Sequence, residues 1–406
     1  MKQLSKLMLA AVASVALAAP AFAWDFGASG SSTASFNSTS TKASKDATNT
    51  IASGGVTSSA SSLKLSSSHT DGPKSLSLSY TLDWDGNLDE TITLSGSSKV
   101  GDWTASGDVS YNRDRPGCYA TDNGTAVSTA ATAGCQGQTG EDTTAVTVTD
   151  GTMTIKLGDA SHLSGQNVSS NGAAAGAVSF DAADDDASVG AFVGAFQGVS
   201  LGYKISDTMS ATVAYQASLD TADACGAGEA YDGEGASHGI TATGLGFSGT
   251  FGIASVGFTM CNAATADAGT ASVSPASTST ATSTMGIGVK LDLGDIDPFI
   301  SFGTYSAVGS VSKAGAAYAG NEVGLTYALG NDTVVFYIGS VTEIVTPSGG
   351  VAGEAITKSG MELGYNTMVG PASLKVGYGS QTHAQTGGST DGYSMTDIEV
   401  AMTYGF

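Results

Sequence analysis

Residues 393 to 406, YSMTDIEVAMTYGF, alternate in character. Thr396, Ile398, Val400, Met402, Tyr404 and Phe406 share one parity, and Asp397, Glu399, Ala401, Thr403 and Gly405 share the other. Successive side chains of a β-strand point to opposite faces, so this spacing predicts a strand with one apolar and one polar face. The pattern recurs along the chain. Leu76, Leu78, Tyr80 and Leu82 alternate with serine and threonine, and Val199, Leu201, Tyr203 and Ile205 lead through Ser206-Asp207 into Met209, Ala211, Val213 and Tyr215. Ile287 to Leu293 turns into Phe299 to Tyr305, Val323 to Leu329 into Val334 to Val341, and Met361 to Tyr365 into Leu374 to Tyr378. Alternating runs broken by Gly, Asn, Asp and Pro predict hairpins. No 3.6-residue stripe persists, and no apolar run approaches the roughly 20 residues that a spanning helix needs.

The connections sort by length. Tight turns alternate with long polar stretches, among them Arg113 to Asp142, Asp159 to Ser188, Ser218 to Ser237 and Asn262 to Ser283. A soluble sandwich has no reason to sort its loops this way, whereas a membrane barrel has short turns at one end and long loops at the other. The polar face, rich in Ser, Thr and Gly, makes a poor dry core but a good wall for a water-filled lumen. The expected fold class is all-β, a transmembrane antiparallel β-barrel, because only a closed sheet pairs every backbone group without water. Eighteen strands are counted, or sixteen if Trp84 to Ser98 is one bent region, and barrels of this size leave an aqueous channel.

The N-terminal stretch departs from the pattern. Residues 1–23 carry Lys2 and Lys6, an apolar run from Leu7 to Ala19 and the ending Ala21-Phe22-Ala23, which reads as a cleaved secretory signal peptide. Residues 24–406 then form the barrel. The formal net charge is −22, and an acidic chain repels phosphate backbones, so no nucleic-acid partner is expected. Glycine supplies 56 of 406 residues, about twice the usual roughly 7%. Four cysteines in an exported chain allow three disulfide connectivities. The favoured pairing joins Cys118 to Cys135 across one loop and Cys225 to Cys261 between neighbouring loops.

With these features assembled, the chain resembles the general-diffusion porins of Gram-negative outer membranes. The resemblance rests on the signal peptide, the first strand Trp24-Asp25-Phe26, the closing Tyr404-Gly405-Phe406 and above all residues 145–159, AVTVTDGTMTIKLGD. It implies that Asp159 to Ser188 is a long loop folded into the lumen, that the chain forms a homotrimer in outer-membrane lipid, and that Tyr404 and Phe406 serve as an assembly signal for the barrel-assembly machinery. The family usually faces its acidic loop with several wall arginines. Here Arg113 and Arg115, beside an expected external loop, are the only arginines.

The chemistry on offer is that of a pore. Constriction candidates are Asp159, Asp181, Asp184, Asp185 and Asp186 in or at the loop, with Lys156, Lys204, Lys290, Asp292 and Glu322 on the wall. The aspartate cluster reads as a negative eyelet, as a site for a divalent ion, although the calcium-loop spacing D-x-[DN]-x-[DN]-G is absent, or as a solvated loop face. By parity, Asp108, Glu362, Lys375, Asp397 and Glu399 also face the lumen. Gly244 to Gly249 matches G-x-G-x-x-G, yet the chain continues as a strand where a dinucleotide site needs a helix. No metal spacing, catalytic constellation or cofactor motif is found, and the four histidines are scattered. The expected function is passive diffusion of small hydrophilic solutes and ions, with cations preferred. The alternative is a structural or adhesive surface protein whose barrel is plugged by its loops.

Overall fold

The computed structural model describes residues 25–48, 50–84, 88–113, 140–160, 162–164, 196–219, 240–265, 281–308, 316–345, 354–385 and 391–406. The strands are β1 (Asp25–Lys42), β2 (Ile51–Asp71), β3 (Lys74–Trp84), β4 (Leu88–Val100), β5 (Trp103–Arg113), β6 (Gly140–Thr149), β7 (Met153–Ala160), β8 (Phe196–Ser206) and β9 (Met209–Leu219). They continue as β10 (Ile240–Phe251), β11 (Ala254–Thr265), β12 (Ala281–Leu291), β13 (Ile296–Val308), β14 (Ala316–Leu329), β15 (Asp332–Val345), β16 (Glu354–Val369), β17 (Ala372–Gln385) and β18 (Ser394–Gly405). Each strand pairs with its sequence neighbours and β1 also pairs with β18, which closes an antiparallel β-barrel of 18 strands. Trp84 pairs with Leu88, so the region that left the count open is a hairpin of β3 and β4.

Two compact units make up the chain. The first holds β3 to β6, most of β2, the start of β1 and the last residues of β18. Its hairpins carry leucine, isoleucine and tyrosine on one face, and Leu76, Leu78, Ile92 and Leu94 are exposed. The other face is a ladder of hydroxyls: Ser75 bonds Ser97 at 2.7 Å, Ser77 bonds Ser95 at 2.8 Å and Thr93 bonds Ser110 at 3.1 Å. Such cross-strand pairs stabilise the sheet and leave lone pairs for water. Phe406 and Gly30 exchange two backbone hydrogen bonds, of 2.7 and 2.9 Å.

The second unit holds β7 to β17 with most of β18. One parity is exposed, as at Val213, Leu245, Ile287, Phe302 and Leu363. The opposite parity is buried and mostly small or polar, as at Thr212, Thr259, Thr284 and Ser301. Exposed apolar and buried polar residues invert the arrangement of a soluble domain. The inversion is favourable where the outer face meets hydrocarbon and the inner face meets water. Tight turns join the hairpins at one end, where Gly330 (φ 68) and Gly370 (φ 63) adopt the left-handed conformation that glycine tolerates. At the other end, Lys45 forms an ion pair with Asp391 at 2.6 Å. That hydrogen bond holds the Asp391 carboxyl below its ordinary pKa and the Lys45 ammonium above its own.

Candidate functional site

Register aligns the inner face of the second unit into lateral rows. One row runs from Lys156 to Ser200, Ala214, Gly244, Cys261 and Thr284 across β7 to β12. Directly after β7, residues 162–164 lie against this row. His162 is 4% exposed, its Nδ1 lies 2.8 Å from Ser200 Oγ and its Nε2 lies 2.9 Å from the Gly158 carbonyl. A carbonyl only accepts, so Nε2 carries the proton, and in the neutral ring Nδ1 accepts from the serine hydroxyl. The ring is thereby fixed at both nitrogens.

Glycines make room for the next two residues. A Cβ at Gly244 would stand 2.9 Å from the Leu163 side chain, and one at Gly246 would stand 2.5 Å from the Ser164 carbonyl oxygen. The G-x-G pattern therefore serves close packing of chain on wall. Leu163 is buried in that seat at 6% exposure. A polypeptide segment thus lies on the inner face at the very start of the stretch expected to enter the lumen. The rest of that stretch, with Asp181, Asp184, Asp185 and Asp186, lies outside the described residues.

Cys261 is disulfide-bonded. It is fully buried and occupies the row position beside Gly244. The expectation placed it at a loop edge. Instead β11 continues for four residues beyond it, paired with β12 through Ala264 and Ala281, so its sulfur belongs to the inner wall. The other three cysteines, Cys118, Cys135 and Cys225, lie outside the described residues.

The far side of the same unit is acidic. Glu322 (3% exposed) and Glu362 (2%) are buried on the inner face of β14 and β16, in two adjacent rows. Ser301, Glu322, Gly339, Gly360 and Gln381 make one row. Phe299, Gly324, Tyr337, Glu362 and Gly379 make the other. The Tyr337 hydroxyl donates to the Glu362 carboxylate, and Phe299, Val335 and Tyr337 pack with Met395 behind it. Asp397, also buried, accepts a 2.9 Å hydrogen bond from Thr39. Glu362 and Asp397 thus each accept a hydrogen bond from a neutral hydroxyl.

Several wall charges expected at the constriction sit at the tight-turn end. Lys204 forms an ion pair with the turn residue Asp207 at 2.7 Å, and Lys290 lies 3.6 Å from Asp297. Asp292 follows the end of β12 and caps its turn, accepting the Gly294 N–H at 3.0 Å. Its place in an alternating run hid the turn, because Asp292 and Asp295 flank Gly294 and both suit turn positions. Lys156 is half-buried in β7 opposite Ser200, and Asp159 pairs with Gln197 near the end of that strand. Asp108 is exposed, while Lys375 and Glu399 are half-buried. Tyr404 and Phe406 lie on the outer face, exposed, with ring centroids 6.1 Å apart. Sequence reasoning missed His162, Tyr337 and the fully buried Gln216. Tyr337 carried a usable signal, since it breaks the parity of Val334, Phe336 and Ile338.

Among the described residues, no cluster of three His, Cys, Asp or Glu could hold a metal ion. The arrangement offers carboxylates, lysines and hydroxyls on a common inner face. No protein-family model matches the chain. No curated protein matches its sequence. Solved structures do match. The outer membrane channel DcaP of Acinetobacter baumannii aligns at a TM-score of 0.54 and 14% identity, over 94% of this chain and 97% of its own. A loop L8 deletion mutant of OmpT, an outer membrane protein of Vibrio cholerae, aligns at 0.52 and 11%, over 95% and 100%. Pseudomonas aeruginosa OpdQ aligns at 0.51 and 10%, over 94% and 98%. At these identities the likeness is one of fold, and the chain has the porin-like barrel fold of outer-membrane proteins.

Proposed function

We propose that the chain is an outer-membrane porin that lets small hydrophilic solutes and ions diffuse through a water-filled barrel. The observation that carries this reading is the inversion of faces: apolar side chains outward and exposed, hydroxyls and carboxylates inward, around a closed ring of 18 strands. The likeness of fold to DcaP, an outer membrane channel, supports the assignment. We read the chain as a channel and not as an enzyme. His162 and Ser200 are in contact and buried, with both ring nitrogens engaged, which suits a peg better than a reaction centre.

The finer reading follows the same logic. Residues 1–23 are a signal peptide removed on export, and the barrel is inserted by the barrel-assembly machinery as a homotrimer of the general-diffusion type. Asp159 to Ser188 folds into the lumen, a reading supported by the seat of residues 162–164 on the inner wall. The Cys225 to Cys261 disulfide, with Cys118 joined to Cys135, would hold a second segment at that wall. The pore prefers cations, because Glu322, Glu362 and Asp397 set carboxylates on the inner wall while Lys204 and Lys290 are paired at the rim.

The test is a reversal potential across a potassium chloride gradient. Cation preference is expected at about 0.1 M salt, where the Debye length is roughly 10 Å, and should fade near 1 M, where it is roughly 3 Å. Anion preference at low salt would contradict the charge argument. A well-folded barrel that stays silent in a bilayer would favour a structural surface protein instead.

A further inference from the structure

In the first unit, where β2 to β5 pair, the inner face carries no apolar side chain among the described residues. Serine and threonine dominate it. Lys64, Ser68, Ser75, Ser106 and Asp108 stand exposed on it, whereas the inner face of the second unit is buried at Gln216, Thr259, Thr284 and Ser301. Register sets the hydroxyls of the open face in a lattice. Thr70, Ser75, Ser97 and Ser106 make one row across the four strands. Ser66, Ser79, Thr93 and Ser110 make another, and between them Ser68, Ser77 and Ser95 lead to Asp108. Such a lattice repeats about every 4.8 Å across the strands and about 6.8 Å along them, spacings on the order of one sugar ring.

The hydrogen-bonding capacity of this face is lopsided. Ser75 with Ser97, Ser77 with Ser95 and Thr93 with Ser110 are bonded across strands, and each pair spends one of its protons on that bond while keeping most of its lone pairs. Asp83, on the same face opposite Ser62, holds a carboxylate oxygen, Oδ1, that has no hydrogen-bond partner among the described residues. The face is therefore rich in acceptors and short of donors. Its charges balance, with Lys64 and Lys99 against Asp83 and Asp108 among the described side chains, so it favours neither sign of ion. An apolar solute finds nothing to bury against. A neutral polyol brings a proton with nearly every oxygen, and it can exchange water for serine and threonine at each step along the wall.

We propose that the hydroxyl face of β2 to β5 is a binding track for neutral polyhydroxylated solutes of the sugar and polyol class, a reading that rests on the chain being a channel. The probes are glucose and tetraethylene glycol, which are close in size, but the glycol's ether oxygens accept and bring no protons. Osmotic swelling of liposomes holding the full chain, corrected for protein-free liposomes, is expected to be roughly three-fold faster in glucose, the worth of one modest hydrogen bond. The variant S77A/T93V/S95A/S110A removes both partners of two hydroxyl pairs, so it leaves no hydroxyl stranded by the loss of its partner and should fold. It should bring the two rates together while potassium chloride conductance stays within about two-fold, the change being confined to neutral groups. S77T/T93S/S95T/S110T, which keeps the hydroxyls, should keep the glucose advantage. So should S67A/S98A, which removes hydroxyls from the opposite face of β2 and β4. Heat-modifiable gel migration checks that each variant is folded. Equal swelling in the two solutes by a conducting wild type would overturn the track and leave the channel standing, whereas a barrel silent to ions and solutes alike would overturn both. A glucose advantage that survives in the alanine and valine variant, or that is lost equally in S67A/S98A, would also refute the proposal.

Discussion

His162 illustrates how much one side chain can fix. With Nε2 donating to the Gly158 carbonyl and Nδ1 meeting Ser200, removal of the ring leaves the buried serine hydroxyl and the part-buried carbonyl to find new partners. An unsatisfied buried group costs about 1–3 kcal/mol, and about 1.4 kcal/mol is ten-fold in an equilibrium. H162A is therefore expected to free residues 162–164 from the wall and to raise the rate of limited proteolysis near them on the order of ten-fold. The glycine seat gives a graded comparison. At Gly246 a methyl would strike the Ser164 backbone, whereas at Gly244 it would meet the end of a flexible leucine. G246A should thus raise proteolysis well above G244A, with cleavage sites mapped by mass spectrometry. Equal rates in wild type and all three variants would mean that the peg does not hold the segment. None of this was legible in the sequence. A histidine shortly beyond a strand's end looks like any loop histidine until Ser200, 38 positions away, is brought to it.

Whole strands were easier to read than their ends. Parity assigned the outer face of β18 correctly because a lipid-facing strand must alternate wherever one side meets hydrocarbon. Beyond that belt both faces are wet, and alternation is no longer required. The Ser/Thr-rich ends of β1, to Lys42, and of β2, from Ile51, therefore carry no periodic signal, and neither does the end of β17 at Gln385. Cys261 was misplaced for the same reason, since the polar continuation of β11 to Thr265 resembles a loop. The alternation that was legible yields a sharp expectation at adjacent residues. V400K puts an ammonium on the face shared by Ile398 and Met402, both exposed, at a cost of about 2–4 kcal/mol near mid-membrane. A401K puts it on the face of Asp397, which is buried. Assembly in the outer membrane, followed by heat-modifiable migration, should fail for V400K and proceed for A401K. The same result for both would contradict the assignment of faces.

At the scale of the molecule, closure is what converts alternating strands into a function. An open sheet with these faces would expose a row of unpaired backbone groups in lipid. The pairing of β1 with both β2 and β18 removes that edge. Closed, the ring sets its apolar parity toward lipid and gathers hydroxyls, lysines and carboxylates on the inner face, with acid at Glu322 and Glu362. Eighteen strands are within the range that leaves an aqueous passage. A porin requires that water fill this passage from end to end. The most direct measurement is the current across a planar lipid bilayer as the purified, detergent-folded chain is added. Stepwise conductance increments that grow with salt concentration are expected. A bilayer that stays electrically silent, while the same preparation shows the far-UV circular dichroism and gel migration of a folded barrel, would contradict the account.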